Sequence, residues 1–428
     1  MTQVDYRDAL WVVTPEQGGG ETSLLRSFSH EAALFETTED ARSDNAFTVK
    51  LPLSKLVGTR DFKTTWTQDR VQMTEALKAG RKLYHALPRQ LTSILDQSAD
   101  PRPLRLKIYS PQPRITDLPW EWLTDDAGDP IALRSDVRFV RCVPRRFEIP
   151  HLTIARPVKV LMVLTNPKDE RLLDAPRELA SAAQRLVQPD YEMQVCPEPT
   201  IEKLKDVMHG FLPHVIHYIG HAGINNGEGN IILHDDYNRA YWMPGSVLSQ
   251  ILPSTTRLIC LSTCVTAPNY QLLGLPHLAH ASSDLNLPTV VVNRYPLDAQ
   301  SAAAFWNTFY SALIDEHGNV NEAVHHARRQ TQVADPSFAD WASFSLVLRD
   351  RTGQALNIVE AASHQLQDIQ AREFQAQYAA RLANDLAQQV SLYDDHITES
   401  VRESLEVATR DATELFKIAG DLSKDFEA

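Results

Sequence analysis

His214-Val215-Ile216-His217-Tyr218-Ile219-Gly220-His221-Ala222-Gly223 is the stretch that decides how this chain is read. Up to Ile219 it is an apolar run with polar residues only at His214 and His217, which predicts a strand buried on both faces. The run gives way to a glycine, and a histidine, an alanine and a second glycine follow. A second stretch has the same layout. Thr256-Arg257-Leu258-Ile259-Cys260-Leu261-Ser262 reads as a buried strand, and Thr263-Cys264-Val265-Thr266 comes directly after it. Each strand is therefore expected to deliver one reactive residue just past its end.

Outward from these two, Val158 to Thr165, Tyr191 to Cys196, Asn230 to His234, Leu287 to Asn293 and Ala342 to Leu348 read as further strands. Helical segments fall between them. One starts at Asp174 with Pro176 in its first turn and runs to Val187. Another runs from Thr200 to Leu212 and is stopped by Pro213. Two more cover about 298–315 and 319–333. Strands alternating with helices of this length predict an α/β domain, a mostly parallel sheet flanked by helices. Chemistry in such sheets sits outside the carboxyl ends of the strands. If the two strands are neighbours, His221 and Cys264 face each other across one crevice.

On either side of this core, the reading divides the chain into an N-terminal extension (1–65), the α/β domain (66–350) and a C-terminal helical arm (351–428). In the first, Gly18-Gly19-Gly20 reads as a loop tip and Phe47 to Leu51 alternates like a strand. From Thr67 to Leu95 the pattern is helical: Val71, Leu77, Leu83, Leu87, Leu91 and Ile94 share a face, with Gly80 and Pro88 as interruptions. In the arm, no Pro or Gly stands between Gly353 and Gly420. Apolar residues such as Leu366, Phe374, Tyr378, Leu382, Leu386 and Val390 recur every three or four positions. That predicts an amphipathic helix, or two joined near Asp394-Asp395, able to dock a partner, to oligomerise or to pack on the domain before it.

The bulk numbers exclude several classes. A formal net charge of −13 disfavours direct contact with nucleic acid. No apolar stretch approaches the length of a membrane span, and the N-terminus lacks the pattern of a signal peptide. The four cysteines, Cys142, Cys196, Cys260 and Cys264, are too few and scattered for a disulfide framework. Reduced thiols in a cytoplasm are the expectation. There is no phosphate-cradling G-x-x-x-x-G-K-S/T loop and no G-x-G-x-x-G turn, so a nucleotide-binding module is disfavoured. His217 and His221 are four apart, but on a strand and loop that spacing makes no metal face. No metal and no cofactor are expected.

The chemistry that suits a histidine beside a cysteine is nucleophilic. A free thiol, with a pKa of about 8.5, is mostly protonated at neutral pH. An adjacent imidazole takes that proton, and later returns it to a leaving amine. Flexible glycine backbone beside His221 can turn and aim an N–H at a developing oxyanion, together with the Cys264 amide. Taken singly, a cysteine or histidine at a strand end is more often structural; the pair, each after a buried strand, makes the two readings about equal. Of the other residues, Asp235 follows a hairpin strand and is either a substrate contact or, more simply, a turn residue. Arg294 follows the Leu287–Asn293 strand, with a fork that suits an acidic group. Cys260 reads as a core thiol, and Trp120 and Trp122 as packing anchors.

Leu118-Pro119-Trp120-Glu121-Trp122-Leu123, His217 to Gly223 and Leu261 to Thr266 together resemble the CHAT domain, a caspase-like branch of cysteine peptidases. The resemblance covers about residues 70–350, in order. It implies a caspase-hemoglobinase fold, with His221 as base and Cys264 as nucleophile. It also implies oxyanion help from the backbone at Ala222 or Gly223 and at Cys264. Many relatives carry glycine directly after the histidine, where this chain has Ala222, which still has its N–H. The expectation is a gated bacterial cysteine endopeptidase. It would cut a specific partner protein after an activating partner or ligand rearranges the site, in a setting such as antiviral defence or regulated cell death. A catalytically silent CHAT scaffold used for protein–protein assembly is the alternative.

Overall fold

A computed structural model describes residues 4–15, 21–28, 46–50, 70–87, 89–96, 101–109, 118–142, 152–170, 185–186, 189–225, 228–265, 289–295, 297–348 and 354–359. The helix expected over 174–187 and the bulk of the C-terminal arm lie outside these residues. The chain divides into two compact units, one of 1–151 with 157–356 and one of 152–156 with 357–428.

The first unit is built on one large mixed sheet. Its strands in chain order are β1 (Arg7–Pro15), β2 (Glu21–Phe28), β3 (Ala46–Lys50), β4 (Leu104–Tyr109) and β5 (Val137–Cys142). After β6 (Leu152–Ala155), which belongs to the other unit, come β7 (Val158–Leu164), β8 (Tyr191–Pro197), β9 (Val215–Asn225) and β10 (Glu228–His234). The last are β11 (Ala240–Pro244), β12 (Leu258–Val265), β13 (Thr289–Asn293) and β14 (Phe344–Leu348). The order is β11-β10-β9-β12-β13-β14-β5-β4-β1-β2-β3, with β7 also pairing β9 and β8 at the outer edge. Pairings through β8-β7-β9-β12-β13 and through β14-β5-β4-β1 are parallel. The architecture is the mostly parallel sheet flanked by helices that the alternation predicts.

The helices follow their sequence signals. Gln72 precedes α1 (Met73–His85), and α2 (Arg89–Asp96) follows after Pro88, so one helical stretch becomes two. Gly80 is not a defect in α1: a Cβ there would collide with the Trp122 carbonyl, so glycine lets the helix backbone touch the Trp120–Trp122 turn. Thr200 caps α3 (Ile201–Phe211) by accepting from the Lys203 N–H, and Leu212 closes it in the left-handed region at φ 54°. A short α4 (Gly245–Ile251) precedes β12. Asp298 caps α5 (Ala299–Asp315) and Asn319 caps α6 (Val320–Ala334).

Strand alternation sorts the core. Ile216 and Tyr218 of β9, Ile259 and Leu261 of β12 and Leu161 and Val163 of β7 pack with Leu204 and Met208 of α3 and Leu248 of α4. The opposite face carries His217 and Cys260 and is covered by α5: the His217 ring lies 4.4 Å from Trp306, and Phe305 stacks on Phe344 at 3.5 Å. A second cluster joins α1 and α2 to β1, β4, β5 and the Trp120–Trp122 turn.

Three features add to the sequence reading or depart from it. First, the N-terminal extension, given no place in the sheet, supplies β1, which pairs parallel with β4, and Asp8 takes a buried two-pronged bond from Arg105 at 2.6 and 2.7 Å. Second, β9 and β12 run past the points where loops were expected, to Asn225 and Val265. The reason is pairing: β10 adds to β9 over residues 222–225, and β12 keeps its parallel register as far as Val265↔Ala222. Third, Leu356–Val359, at the head of the expected C-terminal helix, is instead a strand, β15, which pairs with β6 in the second unit. Its side chains alternate buried and exposed from Leu356 to Ile358, the period of a strand and not of a helix.

Candidate active site

The site begins with register. β9 and β12 are adjacent and parallel, and their paired positions run Cys260↔His217, Ser262↔Ile219, Thr263↔Gly220, Cys264↔His221. Residues 221 and 264 are thus directly opposite, on neighbouring strands about 4.8 Å apart. Both lie near the carboxyl ends of their strands. His221 is fully buried.

β9 changes partner at this point. Residues 215–219 pair with β7 and residues 222–225 pair with β10, so Gly220 and His221 occupy the junction. The Tyr218 hydroxyl sits in the gap. It lies 2.7 Å from the His221 carbonyl, 2.7 Å from the Ile232 carbonyl, 3.2 Å from the Ile232 N–H and 2.9 Å from Thr165 Oγ1. Only glycine fits at position 220, because a Cβ would run into Thr165 Oγ1 and the Tyr218 hydroxyl. Ala222 and Gly223, the sequence's oxyanion candidates, lie flat in the β9–β10 ladder opposite Ile231 and Asn230.

Four residues before, the same strands carry a second histidine and cysteine. His217 Nδ1 lies 2.8 Å from the Tyr310 hydroxyl of α5, which is also hydrogen-bonded to Cys260. His217 Nε2 has no hydrogen-bond partner among the described residues. Burial lowers the His217 pKa to about 3 and pushes the Cys260 thiol up. This pair is a neutral imidazole and a protonated thiol, a core network and not a nucleophile.

The two further residues named from sequence have definite partners. Asp235 stands in the β10–β11 turn, where its Oδ1 accepts the Tyr237 and Arg239 N–H groups at 2.8 Å each and its other oxygen pairs with Arg239. The Arg239 and Tyr237 N–H bonds hold its pKa below the ordinary value. Arg294 is buried beyond β13, with Nη1 3.7 Å from Glu121 and its backbone N–H donating to the Ser343 carbonyl.

Glu121 is the residue whose role the sequence did not reveal. It is fully buried in the Trp120–Trp122 turn and takes a two-pronged bond from Arg141 at 2.9 and 2.6 Å. The Ser345 hydroxyl donates to it at 2.6 Å, and Arg294 and Arg328 stand at 3.7 and 4.0 Å. Burial by itself would raise its pKa; the three guanidiniums outweigh this and hold it at about 2. One carboxylate thereby ties together β5, the end of β13 and α6. The one signal in the sequence was a charge set between two tryptophans. Those tryptophans are packing anchors: Trp120 meets Trp11 edge-on at 5.1 Å and Trp122 lies 5.5 Å from Tyr295. Among the described residues no group of three or more His, Cys, Asp or Glu is placed to hold a metal, and no helix is long and apolar enough to cross a membrane.

The sequence matches the CHAT domain family model over residues 77–349, more than half of the chain. The chain belongs to the CHAT domain family. Among solved structures it is similar to separase in the Saccharomyces cerevisiae separase–securin complex, at 10% identity and a TM-score of 0.42, over 83% of this chain and 31% of that one. It is also similar to the Drosophila initiator caspase Dronc, at 10% identity and 0.29, over 47% of this chain and 81% of that one. A third similar structure is the complex of the Porphyromonas gingivalis RgpB pro- and mature domains, at 9% and 0.36, over 70% and 76%. The chain thus spans under a third of the separase chain. No curated protein matches it.

Proposed function

We propose that this chain is a cysteine endopeptidase that cuts a specific partner protein, with His221 as base and Cys264 as nucleophile. The observation that carries this is the register Cys264↔His221 on adjacent parallel strands, in a member of the CHAT family. In the reaction, the imidazole takes the thiol proton and the thiolate attacks the peptide carbonyl carbon. The C–N bond breaks as imidazolium protonates the departing amine, and water then hydrolyses the thioester. The Cys264 N–H and that of Ala222 or Gly223 are the oxyanion donors. Arg294 and Asp235 are the proposed substrate contacts; both have partners in the resting chain, and a substrate must compete with them.

His221 is sealed from solvent, so the resting chain is closed and a partner or ligand must open it. Residues 354–419 are the proposed docking or oligomerisation arm. A cytoplasmic bacterial effector of defence or regulated cell death is the setting that family analogy suggests. The same burial of His221 favours a second reading, a catalytically silent scaffold for protein assembly. The test compares new protein N-termini in cells expressing the wild type and Cys264→Ala, with neighbouring genes co-expressed. Termini that vanish in Cys264→Ala are expected. A set identical in both strains would leave the scaffold as the better reading.

A further inference from the structure

The Tyr218 hydroxyl lies where three strands meet. β7 ends beside it at Thr165, β10 passes it at Ile232, and β9 turns from one partner to the other around it. A phenol has one proton to give and two lone pairs. Here the Ile232 N–H and the Thr165 hydroxyl fill the lone pairs, and the single proton is shared between the His221 and Ile232 carbonyls, both at 2.7 Å. Every bonding capacity of the group is used, inside the core. Burial pushes the Tyr218 pKa well up, so the phenol remains a neutral donor.

This accounts for more of the motif than the histidine does. Gly220 is required because the hydroxyl and Thr165 occupy the space of its Cβ. The histidine carbonyl is held three residues after the tyrosine, which gives Tyr-x-Gly-His a mechanical meaning. The phenol ties the His221 carbonyl to β10 and to Thr165 after β7 at once.

We propose that Tyr218 is a positioning residue: it fixes the backbone of His221, and through it the imidazole, at the branch between β7 and β10. The proposal rests on the His221–Cys264 reading and deepens it. It makes Thr165 and Gly220 parts of the same device, since one completes the hydroxyl's bonding and the other makes room for it. Loss of the hydroxyl leaves the ring in place and removes its hydrogen bond to the His221 carbonyl.

The test uses the full chain with histidine-labelled imidazole NMR, followed by iodoacetamide alkylation of Cys264 read by peptide mass spectrometry. Tyr218→Phe is expected to shift or broaden the His221 ring signals while those of His214 and His325 stay in place. It is also expected to slow Cys264 alkylation by roughly 10- to 100-fold, the scale of loss that a misplacement near 1 Å produces. Unmoved His221 signals overturn the proposal, as does an unchanged alkylation rate when His221→Ala slows it. Should Tyr218→Phe not fold, Thr165→Val, which removes one partner of the hydroxyl, is judged by the same two readouts: a smaller shift of His221 and a partial slowing support the proposal, and wild-type behaviour overturns it. Failure of the underlying dyad reads differently: Cys264 then alkylates at the wild-type rate in His221→Ala, and the NMR arm alone decides whether Tyr218 holds His221.

Discussion

His217 and Cys260 stand opposite one another on β9 and β12, and His221 and Cys264 do the same four residues later. The strands are the same, the residue types are the same and the parity along each strand is the same. What differs is the surroundings. The first pair is roofed by α5, with Trp306 against the imidazole and the Tyr310 hydroxyl bonded to both partners. Burial leaves neither group charged. The second pair stands where β9 exchanges β7 for β10, at the carboxyl ends of the parallel strands. A histidine beside a cysteine is therefore not in itself a catalytic centre. Position along the strand separates the two pairs, since ligand sites of such sheets lie beyond the carboxyl ends of the strands; the proposed reading rests on that position, His221 being as buried as His217.

The comparison can be broken by reactivity, where the largest contrast is expected. Cys264 should alkylate at least about 100-fold faster than Cys260, since a buried protonated thiol reacts only when its strand opens. Fragment-ion mass spectrometry after timed iodoacetamide exposure measures both rates, and equal rates would erase the distinction between the pairs. A smaller effect tests the inner pair alone. Tyr310→Phe removes the hydroxyl from His217 Nδ1 and from Cys260, at an expected cost of about 1–3 kcal/mol. Chemical denaturation should show that loss while Cys264 keeps its alkylation rate.

The smallest effect is in pH. His214, His217 and His325 have pKa values lowered to about 3, 3 and 2, chiefly by burial. Each stays neutral in the folded chain and takes up a proton, near pH 6.5, only on unfolding. The unfolded state then binds more protons, so stability falls as pH drops below about 6.5 and continues to fall toward the folded values. The limit is about 1.4 kcal/mol per pH unit for each histidine. Between pH 6.5 and 5, Glu121 adds little, since it is largely ionised in both states. Thermal melts of wild type and His217→Asn over that range should differ in slope, the variant being flatter. Parallel slopes would mean that His217 is not the buried neutral group seen here.

Much of the fold could be read from local pattern. The apolar runs at 158–164 and 289–293 and the short segment at 191–197 are strands, and Asp298, Asn319 and Thr200 cap helices where the sequence signals a start. Leu356–Val359 misled because no Pro or Gly separates it from the long helical pattern after it, and a four-residue alternation is too short to stand out against that pattern. The continuation of β9 to Asn225 was hidden for another reason. Gly220 and Gly223 look like loop residues, but β10 supplies the ladder that keeps them extended, and glycine at 220 answers to the Tyr218 hydroxyl rather than to a turn. Glu121 was hidden because its three arginines come from positions 141, 294 and 328, and no window of sequence contains them.

By itself the sequence determined that two buried strands would carry a histidine and a cysteine near their ends, and that the motifs around them are those of the CHAT domain. It did so because strand burial and helix capping are local properties, written in residues a few positions apart. Only the tertiary structure decided that position 264 is opposite position 221, that His221 is closed to solvent, that the Tyr218 hydroxyl bonds the His221 carbonyl, and that Glu121 gathers three arginines. Register, burial and ion clusters arise from the pairing of segments distant in the chain, and the same apolar runs are compatible with other neighbours until the whole sheet is assembled.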